Sequence, residues 1–298
     1  MSLLAILISL ILERSMNSLR DYRQFGWFDN YTDKLLAWSM ARGWRGPGAV
    51  VLIMAGPVLA VIVLNAMFDD VLLGLLSLAF STVVLFLCLG PQDLEQQVER
   101  FLAAWEQEDE DEARAAAEDI LGEKPPEALS ELHQQLLERV LLASTERLLA
   151  PIFCFTLFAM LGAGPLGVVL YRLGAHLQQR FTAQSDEFGN AVRRFYAIMG
   201  WLPAHAVALL FAMAGSFVDT IHQWRERSPA WRDDWQQAVE GAVLAGGLGA
   251  LQVQPVDESE ISHDEIPSQL RAAMGMLLRS MVILVVVIAI ITLTLFGE

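Results

Sequence analysis

The side chains that most often do chemistry in proteins are sparse in this chain and poorly spaced for it. Five histidines occur, and none forms an i, i+4 pair or a His-Glu-x-x-His motif, the spacings that place zinc ligands on one helix face. The acidic run from Glu106 to Glu112 lacks the glycine of a calcium-binding loop, which favours a solvated helix end. No P-loop, Gly-x-Gly-x-x-Gly or Gly-x-Ser-x-Gly motif occurs. We therefore predict no catalytic residue, no metal site and no resident cofactor.

A few charged residues lie where apolar segments meet polar ones. Arg14 and Arg172 each directly follow an apolar run, a position typical of interface anchors and also open to a ligand. Glu138 and Glu146 are eight residues apart on one predicted helix and share roughly one face, where they pair with nearby arginines or meet a ligand. Arg114 follows several acids and either pairs with them along its helix or contacts a ligand.

The composition indicates a membrane protein. Of the 298 residues, 54% are hydrophobic and 18% are charged, and the mean hydropathy is +0.42, whereas about a quarter of the residues in a soluble domain are charged. The formal net charge of -15 would repel a polyanion, which excludes nucleic acid as a partner. Cys88 and Cys154 lie far apart in apolar runs, so we predict that both are packed as small reduced hydrophobic side chains.

Several apolar runs approach the length of about 20 residues that a membrane-spanning helix needs. We predict four spans, at residues 2–14, 48–64, 71–90 and 272–296. The first lacks the basic region and the cleavage site of a signal peptide and is predicted to be a retained anchor. Two further apolar segments, at about 148–171 and 196–217, contain glycine and proline near their centres. We expect these to be broken helices, either kinked spans or re-entrant pairs of half-helices.

The polar segments indicate how the chain is oriented. Residues 92–147 have helical periodicity and are predicted to form two helices, broken at Pro125 and Pro126. Nineteen of the 20 Lys and Arg lie in four polar segments, and loops rich in these residues stay in the cytoplasm. The sequence therefore predicts a single all-α domain over residues 1–298, a polytopic helical bundle in the lipid bilayer of the bacterial inner membrane. Its polar loops are predicted to be mainly cytoplasmic.

Three separated stretches resemble the CobD/CbiB family of membrane proteins, which contains cobalamin-biosynthesis synthases and their relative AmpE. One, from DEDEARAAAEDILGE to GPLGVVLYRL, is similar to the family's Ala-Arg helix, glutamate-rich helix, Ala-Pro, Gly-Pro break and Tyr-Arg exit. The others are FGNAVRRFYAIMGWLPAHAVALL and SPAWRDDWQQAVEGAVLAGGLGA. The resemblance as a whole covers nearly the whole chain. The matching positions are Arg114, Glu138, Glu146, Ala150, Pro151, Gly164, Tyr171, Arg172, Phe188, Gly189, Pro203, Ser228, Pro229, Trp235, Ala238, Gly241 and Ala242.

The departures from the synthase pattern are as informative as the matches. Synthases of this family join an amino-alcohol phosphate to a corrinoid carboxylate with ATP, which asks for acids to hold magnesium and bases to hold phosphate. Here the polar positions of the pattern are occupied by Leu142, Ala143, Ala175, His176, Leu177, Gln178, Tyr196, Ala197 and His205, and DYRQFGWFDNYTDKL stands in place of an N-terminal His-Pro element. A site without the acids and the phosphate-facing arginine of the synthase pattern could not easily carry out the ligation.

The resemblance therefore implies the AmpE group, inner-membrane proteins linked with β-lactamase induction and peptidoglycan recycling. It implies a regulator or sensor that binds a cell-wall-derived small ligand, a nucleotide or a cytoplasmic protein partner in the old cytoplasm-facing cleft. The ligand-binding candidates are Arg14, Arg114, Glu138, Glu146, Tyr171, Arg172, Ser228 and Trp235. Two alternatives stay open, a membrane ligase of the adenosylcobinamide-phosphate synthase type that uses ATP and magnesium, and a transporter of muropeptide-like solutes.

Overall fold

All regular structure in the described chain is helical. The computed structural model describes residues 2–15, 26–68, 74–228, 235–253 and 264–296. Its elements are α1 (Ser2–Ser15), α2 (Gly26–Ala41), α3 (Pro47–Phe68), α4 (Leu75–Cys88), α5 (Pro91–Glu106), α6 (Glu110–Leu121), α7 (Leu129–Ser144), a π-helical turn (Thr145–Leu149), α8 (Ala150–Ala159), α9 (Gly164–Phe181), α10 (Glu187–Ala214), α11 (Phe217–Arg227), α12 (Trp235–Ala250) and α13 (Glu265–Phe296). The predicted all-α class is confirmed.

Four helices of the described residues are long and apolar enough to cross a bilayer. They are Pro47–Phe68, Leu129–Ala159, Glu187–Ala214 and Glu265–Thr294. Two shorter apolar helices, Leu3–Leu12 and Leu75–Cys88, complete the apolar set. Many large apolar side chains of these helices point outward, including Val51, Val282 and Leu293, as expected where lipid replaces water. The chain is therefore a helical membrane protein. The span limits and the sidedness of the loops stay predictions.

The chain forms two compact units, and the first comprises Met1–Leu89, Ala150–Pro203 and Ile288–Glu298. In this unit α3, α4 and α8 pack against α9, and α1 packs against α4. A buried cluster joins α2, α3, α9 and α10, and its large members are Phe28, Ile53, Leu177, Phe188 and Val192. Burial of such side chains is the main force that holds helices together, and here it fixes α2 beside α9.

Tyr31 also holds α2 against α3. A Cβ atom built on Gly56 of α3 would lie 2.1 Å from the Tyr31 hydroxyl oxygen, so only glycine leaves room for this ring. Burial of the hydroxyl raises the pKa of Tyr31, although its hydrogen bond to the Gly56 backbone acts in the opposite direction. The first unit thus places α2 by a large apolar core and by one close contact.

The second unit comprises Gly90–Leu149 and Ala204–Val287. Here α5, α6 and α7 pack together, and α12 packs against α7 and α11. Three glycines of α12 allow this close approach, because a Cβ at each would lie within 2.7 Å of a neighbouring helix. The neighbours are Ala208 for Gly246, Leu141 for Gly247 and Thr220 for Gly249. The glycine-rich stretch at residues 246–250 therefore serves helix packing.

The helix that enters α8 contains a proline and stays continuous. Pro151 has no N–H to donate to the Arg147 carbonyl four residues earlier. The backbone N–H of Gly90 donates to that carbonyl instead, at 3.2 Å. The π-helical turn (Thr145–Leu149) lies at the same place, and such turns occur where the regular hydrogen-bond ladder is interrupted.

The polar insertion departs from the prediction of two helices. It contains three, because α5 ends at Glu106 and α6 begins at Glu110. Asp109 caps α6, since its side chain accepts the backbone N–H of Glu112 at 3.1 Å. The acids of the first turn of α6 also lie at the positive end of the helix dipole, which stabilises a helix start here. The prediction that one helix continues to the prolines is wrong.

The two segments that contain central glycine and proline differ from each other. Within residues 148–171, α8 ends at Ala159 and α9 begins at Gly164, and Gly162 in the turn has a φ of 74°. Within residues 196–217, by contrast, α10 runs unbroken through Pro203 to Ala214. A pair of half-helices separated near Pro203 is not observed, whereas the other alternative, a kinked span, is compatible with a helix that contains this proline. Whether either segment crosses the bilayer stays a prediction.

Candidate functional site

The predicted ligand-binding residues are divided between the two units. Tyr171 and Arg172 belong to α9 of the first unit, whereas Arg114, Glu138, Glu146 and Ser228 belong to the second unit. The side chains of Arg14 and Trp235 lie outside the described part of the chain. The single cleft that would join all eight residues therefore stays a prediction, and the polar groups of each unit are described in turn.

In the first unit Tyr171 lies in a buried cluster next to Tyr196 of α10. The two hydroxyl oxygens are 3.5 Å apart, and the ring centroids are 6.0 Å apart. Ala150, Cys154 and Ala175 complete the cluster, and each is more than nine-tenths buried. Two positions where the synthase pattern has polar groups, Ala175 and Tyr196, are thus part of a packed interior with only the tyrosine hydroxyls to offer a ligand.

A polar network between α2 and α9 is the best-defined charged group of the first unit. Asp29 Oδ1 lies 2.9 Å from His176 Nε2 and 3.1 Å from Arg180 Nη1. Arg180 Nη2 also donates to both carboxylate oxygens of Asp33, at 2.8 and 2.9 Å. Each of the four side chains is partly exposed, and the Phe28 ring lies 6.1 Å from the His176 ring. Two acids are therefore held by one arginine and one histidine.

This network was not predicted, although the spacing of its residues in the sequence indicates it. Asp29 and Asp33 are four residues apart on α2, and His176 and Arg180 are four residues apart on α9. Residues at this spacing share one helix face, so α2 presents two acidic side chains and α9 presents two basic side chains. The pairing of the two helices was not deducible, because about 150 residues separate them and only the shared apolar core brings them together. Both stretches replace polar motifs of the synthase pattern.

In the second unit the predicted glutamates have local partners. Glu138 accepts a hydrogen bond from Gln134 Nε2 at 2.8 Å, one turn earlier on α7. Arg139 Nε donates to the Ile120 carbonyl at 3.3 Å. Glu146 is half-buried in the π-helical turn, and Ser228 follows the last residue of α11. Hydrogen bonding of this kind is structural and leaves Glu138 an acceptor oxygen for a ligand.

Arg114 lines a pocket formed by α5, α6 and the start of α7. The cavity has a volume of about 190 Å³ and an aromatic wall of Phe101 and Trp105, whose ring centroids are 5.4 Å apart. Its mouth carries four acids, Glu108, Asp109, Glu110 and Glu127. Among the described residues Arg114 forms no ion pair. The expected pairing of this arginine with acids along its own helix is therefore not observed.

Ion pairs hold the α5–α6 hairpin together behind this pocket. Arg100 of α5 donates to Glu112 at 2.6 Å and to Asp119 at 2.8 Å. The hydrogen bond to Glu112 and the charge of this carboxylate raise the pKa of Arg100 above its ordinary value. Glu106 at the end of α5 pairs with Arg271 of α13.

The residues present do not fit a magnesium ion. Magnesium prefers carboxylate, phosphate and water oxygens in octahedral geometry. At the positions matching the synthase motif the chain offers Ala175, His176, Gln178, Tyr196 and Ala197, whose oxygen donors are a neutral amide and a neutral hydroxyl instead of carboxylates. Asp29 and Asp33 are acids of the same unit, but both are bonded to Arg180. Within the described ranges no three His, Cys, Asp or Glu side chains are grouped to hold a metal ion.

Comparison with known proteins identifies the family. Residues 2–254 match the family model described as CobD/Cbib protein, so the chain belongs to this family. It is 29% identical over 229 residues to the cobalamin biosynthesis protein CobD of Stutzerimonas stutzeri (strain A1501), a match that covers 76% of this chain and 71% of that protein. It is also 29% identical over 214 residues to the cobalamin biosynthesis protein CobD of Chromobacterium violaceum, covering 70% of this chain and 64% of that relative, less than two thirds of it. No solved structure matches the chain.

Proposed function

We propose that this member of the CobD/CbiB family is a membrane regulator or sensor of the AmpE type that binds a ligand or protein partner and does not carry out the synthase reaction. In this proposal it acts in the bacterial inner membrane and is linked with β-lactamase induction and peptidoglycan recycling, as its resemblance to AmpE implies. The observation that carries the proposal is the buried cluster around Tyr171 and Tyr196. It occupies positions where a ligase would need exposed acids for a metal-bound phosphate.

The α2–α9 network supports the same proposal. In the synthase pattern the corresponding stretches carry the His-Pro and Asn-Thr-x-Asp elements, and here they carry Asp29, Asp33, His176 and Arg180. These four side chains bind one another. Charges that are already paired are poor metal or phosphate ligands, since a substrate would have to displace the existing partner. The polar groups of this region therefore stabilise the packing of α2 on α9.

A second candidate function is favoured by the names of the curated relatives. Both are cobalamin biosynthesis proteins, CobD, at 29% identity. On this alternative the chain would form an amide bond between a corrinoid carboxylate and an amino-alcohol phosphate, with ATP consumed. Glu138 and Glu146 of the second unit would be the acids available for it.

Ligand binding and turnover distinguish the two functions. The full chain, purified in detergent, is tested for thermal stabilisation by ATP with magnesium, by cobyric acid and by an anhydro-muropeptide, and for ATP consumption. A ligand at about 100 times its dissociation constant stabilises the folded state by about 2.7 kcal/mol, so micromolar binding is visible as a shift in Tm. We expect a shift with the muropeptide and no ATP consumption.

Variants locate the binding. We expect Arg172→Ala to abolish the muropeptide shift and Arg172→Lys to retain part of it, while Glu95→Gln, at an exposed position of α5, leaves it unchanged. ATP consumption that requires cobyric acid and magnesium and is lost in Glu138→Gln would instead establish the ligase. In cells, deletion of the gene should alter inducible β-lactamase activity, measured by hydrolysis of a chromogenic cephalosporin. Unaltered induction together with no muropeptide shift would refute the proposal.

A further inference from the structure

The α5–α6 hairpin and the loop after it, residues 91–127, concentrate the negative charge of the chain. This stretch contains 13 Asp and Glu against 3 Lys and Arg, a net charge of -10 out of -15 for the whole protein. Some of its acids are engaged, since Glu112 and Asp119 bind Arg100 and Glu106 binds Arg271. The acids at the mouth of the pocket form no ion pair with any described residue. Four acids that form no ion pair with a described residue therefore line one pocket.

The pocket itself combines an aromatic wall with this acidic mouth. Phe101 is fully buried and Trp105 half-buried, and with Leu132 they give the cavity an apolar lining. Ala113 and two prolines supply more apolar surface without adding a hydrogen-bond donor. Arg114 is the single cation of the lining, and four carboxylates surround it. The volume of about 190 Å³ is enough for one long side chain.

We infer that this pocket binds a lysine or arginine side chain from a basic segment of a partner protein. The inference rests on the proposed function, in which the chain binds a ligand or a protein partner, and it names the chemistry of a protein partner. A cation is attracted to the face of an indole ring. The aliphatic stem of lysine or arginine packs well on apolar surface while its charged head stays near water. Carboxylates at the mouth then form charge-assisted hydrogen bonds with the head and with neighbouring basic residues.

The same features argue against other occupants. A nucleotide or phosphate would meet four carboxylates at the entrance, and like charges repel. An uncharged apolar segment would bury the acids without pairing them, at a cost in desolvation. A free polyamine shares the chemistry of lysine, and it is distinguished by experiment.

Binding is measured with the full chain in phosphatidylcholine nanodiscs, whose zwitterionic lipid does not attract basic peptides. The probe is a fluorescein-labelled dodecapeptide with four arginines among alanine and serine, and its match is the same peptide with citrulline for arginine. Fluorescence anisotropy reports the dissociation constant of each. We expect saturable binding of the arginine peptide, weakened about tenfold or more by citrulline, which keeps the shape and removes the charge.

Two sets of variants assign this binding to the pocket. Trp105→Ala should weaken binding of the arginine peptide about tenfold. Trp105→Phe should retain most of the affinity, because both the indole and the phenyl ring present a π-face. The triple variant Glu108→Gln, Glu110→Gln and Glu127→Gln should lose a similar factor in affinity for the arginine peptide. Its matched control, Glu95→Gln, Glu99→Gln and Glu118→Gln, removes the same charge from exposed positions of the same hairpin, which lie outside the pocket lining. The unfolding Tm of each variant verifies that it is folded.

Three results would overturn the inference. They are equal losses in the pocket triple and its control, equal binding of the arginine and citrulline peptides, or spermidine that binds as tightly as the peptide and displaces it fully. The last would make the pocket a small-amine site. Failure of this inference is separable from failure of the proposed function, because the muropeptide shift and its loss in Arg172→Ala involve no peptide and no residue of this pocket.

Discussion

The α2–α9 contact of the first unit and the α5–α6 hairpin of the second unit use charge in opposite ways. In the first, Asp29 contacts His176 and Arg180 and Asp33 contacts Arg180, so both acids have a partner inside the unit. In the second, acids outnumber bases, and four acids that form no ion pair with a described residue line an aromatic pocket. Charged side chains that pair with each other stabilise a fold, whereas charged side chains without an ion pair at a concave surface are available to a ligand. The difference separates residues that hold the molecule together from residues that can recognise something else.

The α2–α9 network depends first on the apolar core that joins these helices. A mutation in that core has the largest expected effect on stability. Phe28 is fully buried and precedes Asp29 on α2. We expect Phe28→Ala to lower the free energy of unfolding by about 3–5 kcal/mol, because it leaves a cavity. Trp27→Ala, the adjacent exposed aromatic residue, is the control and should cost far less. Chemical denaturation followed by circular dichroism measures both, and equal effects would contradict the role of the core.

The close contact of Tyr31 with α3 offers a smaller perturbation of the same region. We expect Gly56→Val to cost about 1–3 kcal/mol, since its side chain would displace the Tyr31 hydroxyl and shift α2. Gly48→Val on the same helix is the matched control, because no atom lies within 4 Å of a Cβ built there. Thermal unfolding of both variants in nanodiscs gives the comparison. A Gly48 variant as unstable as the Gly56 variant would mean that helix propensity, and not this contact, dominates.

Ion pairs of the two regions are compared directly by double-mutant cycles. For Arg180→Gln with Asp33→Asn we expect a coupling energy of about 1 kcal/mol, because Arg180 Nη2 contacts both carboxylate oxygens of Asp33 and the arginine is about two-thirds buried. For Arg100→Gln with Asp119→Asn on the exposed hairpin we expect a smaller coupling energy, because solvent screens the pair. Addition of salt should reduce the second value more than the first. A larger coupling energy on the hairpin would reverse the comparison.

The smallest effect concerns an engaged acid of the second unit. Hydrogen bonds from the Ser216 hydroxyl and the Gln252 amide lower the pKa of Asp219 below its ordinary value. The ionised form is therefore favoured by folding, and its contribution is present above the unfolded-state pKa and is lost as the pH falls through the folded pKa. We expect Asp219→Asn to lower the Tm at neutral pH, and the difference from the wild type to shrink as the pH falls below the ordinary aspartate pKa. Glu118→Gln, an exposed acid of α6, should show no such convergence.

Much of the fold was predictable because the signals are long and local. Apolar runs identify the helices of the membrane protein, and the ordered matches around Ala150, Pro151 and Pro203 identify the family. The start of α6 was missed because strong helix formers on both sides obscured Asp109, a cap that acts through one hydrogen bond. The sequence left a kinked span and two half-helices open for α10, and the continuous helix is compatible with the first, since burial of its later turns outweighs the local effect of Pro203.

The candidate site was less predictable because it depends on distant pairings. Tyr171 was selected from the sequence, yet its neighbour Tyr196 appeared only as a departure from a motif. Arg114 was selected as well, but the pocket that it lines requires the turn between α5 and α6, which the sequence analysis did not predict. His176 was examined for metal binding, and its actual partner is an acid on a helix far away in the chain.

The π-helical turn at Thr145–Leu149 has a consequence for comparing sequences within the family. Such a turn accommodates one residue more than an α-helical turn. Here the hydroxyls of Ser144 and Thr145 both donate to the Leu141 carbonyl at 2.9 Å. A homologue that lacks these hydroxyls and forms a regular helix is expected to have one residue fewer before its Ala-Pro pair. An alignment gap at this position would then record a change in helical geometry, and residues after it should be compared in the shifted register.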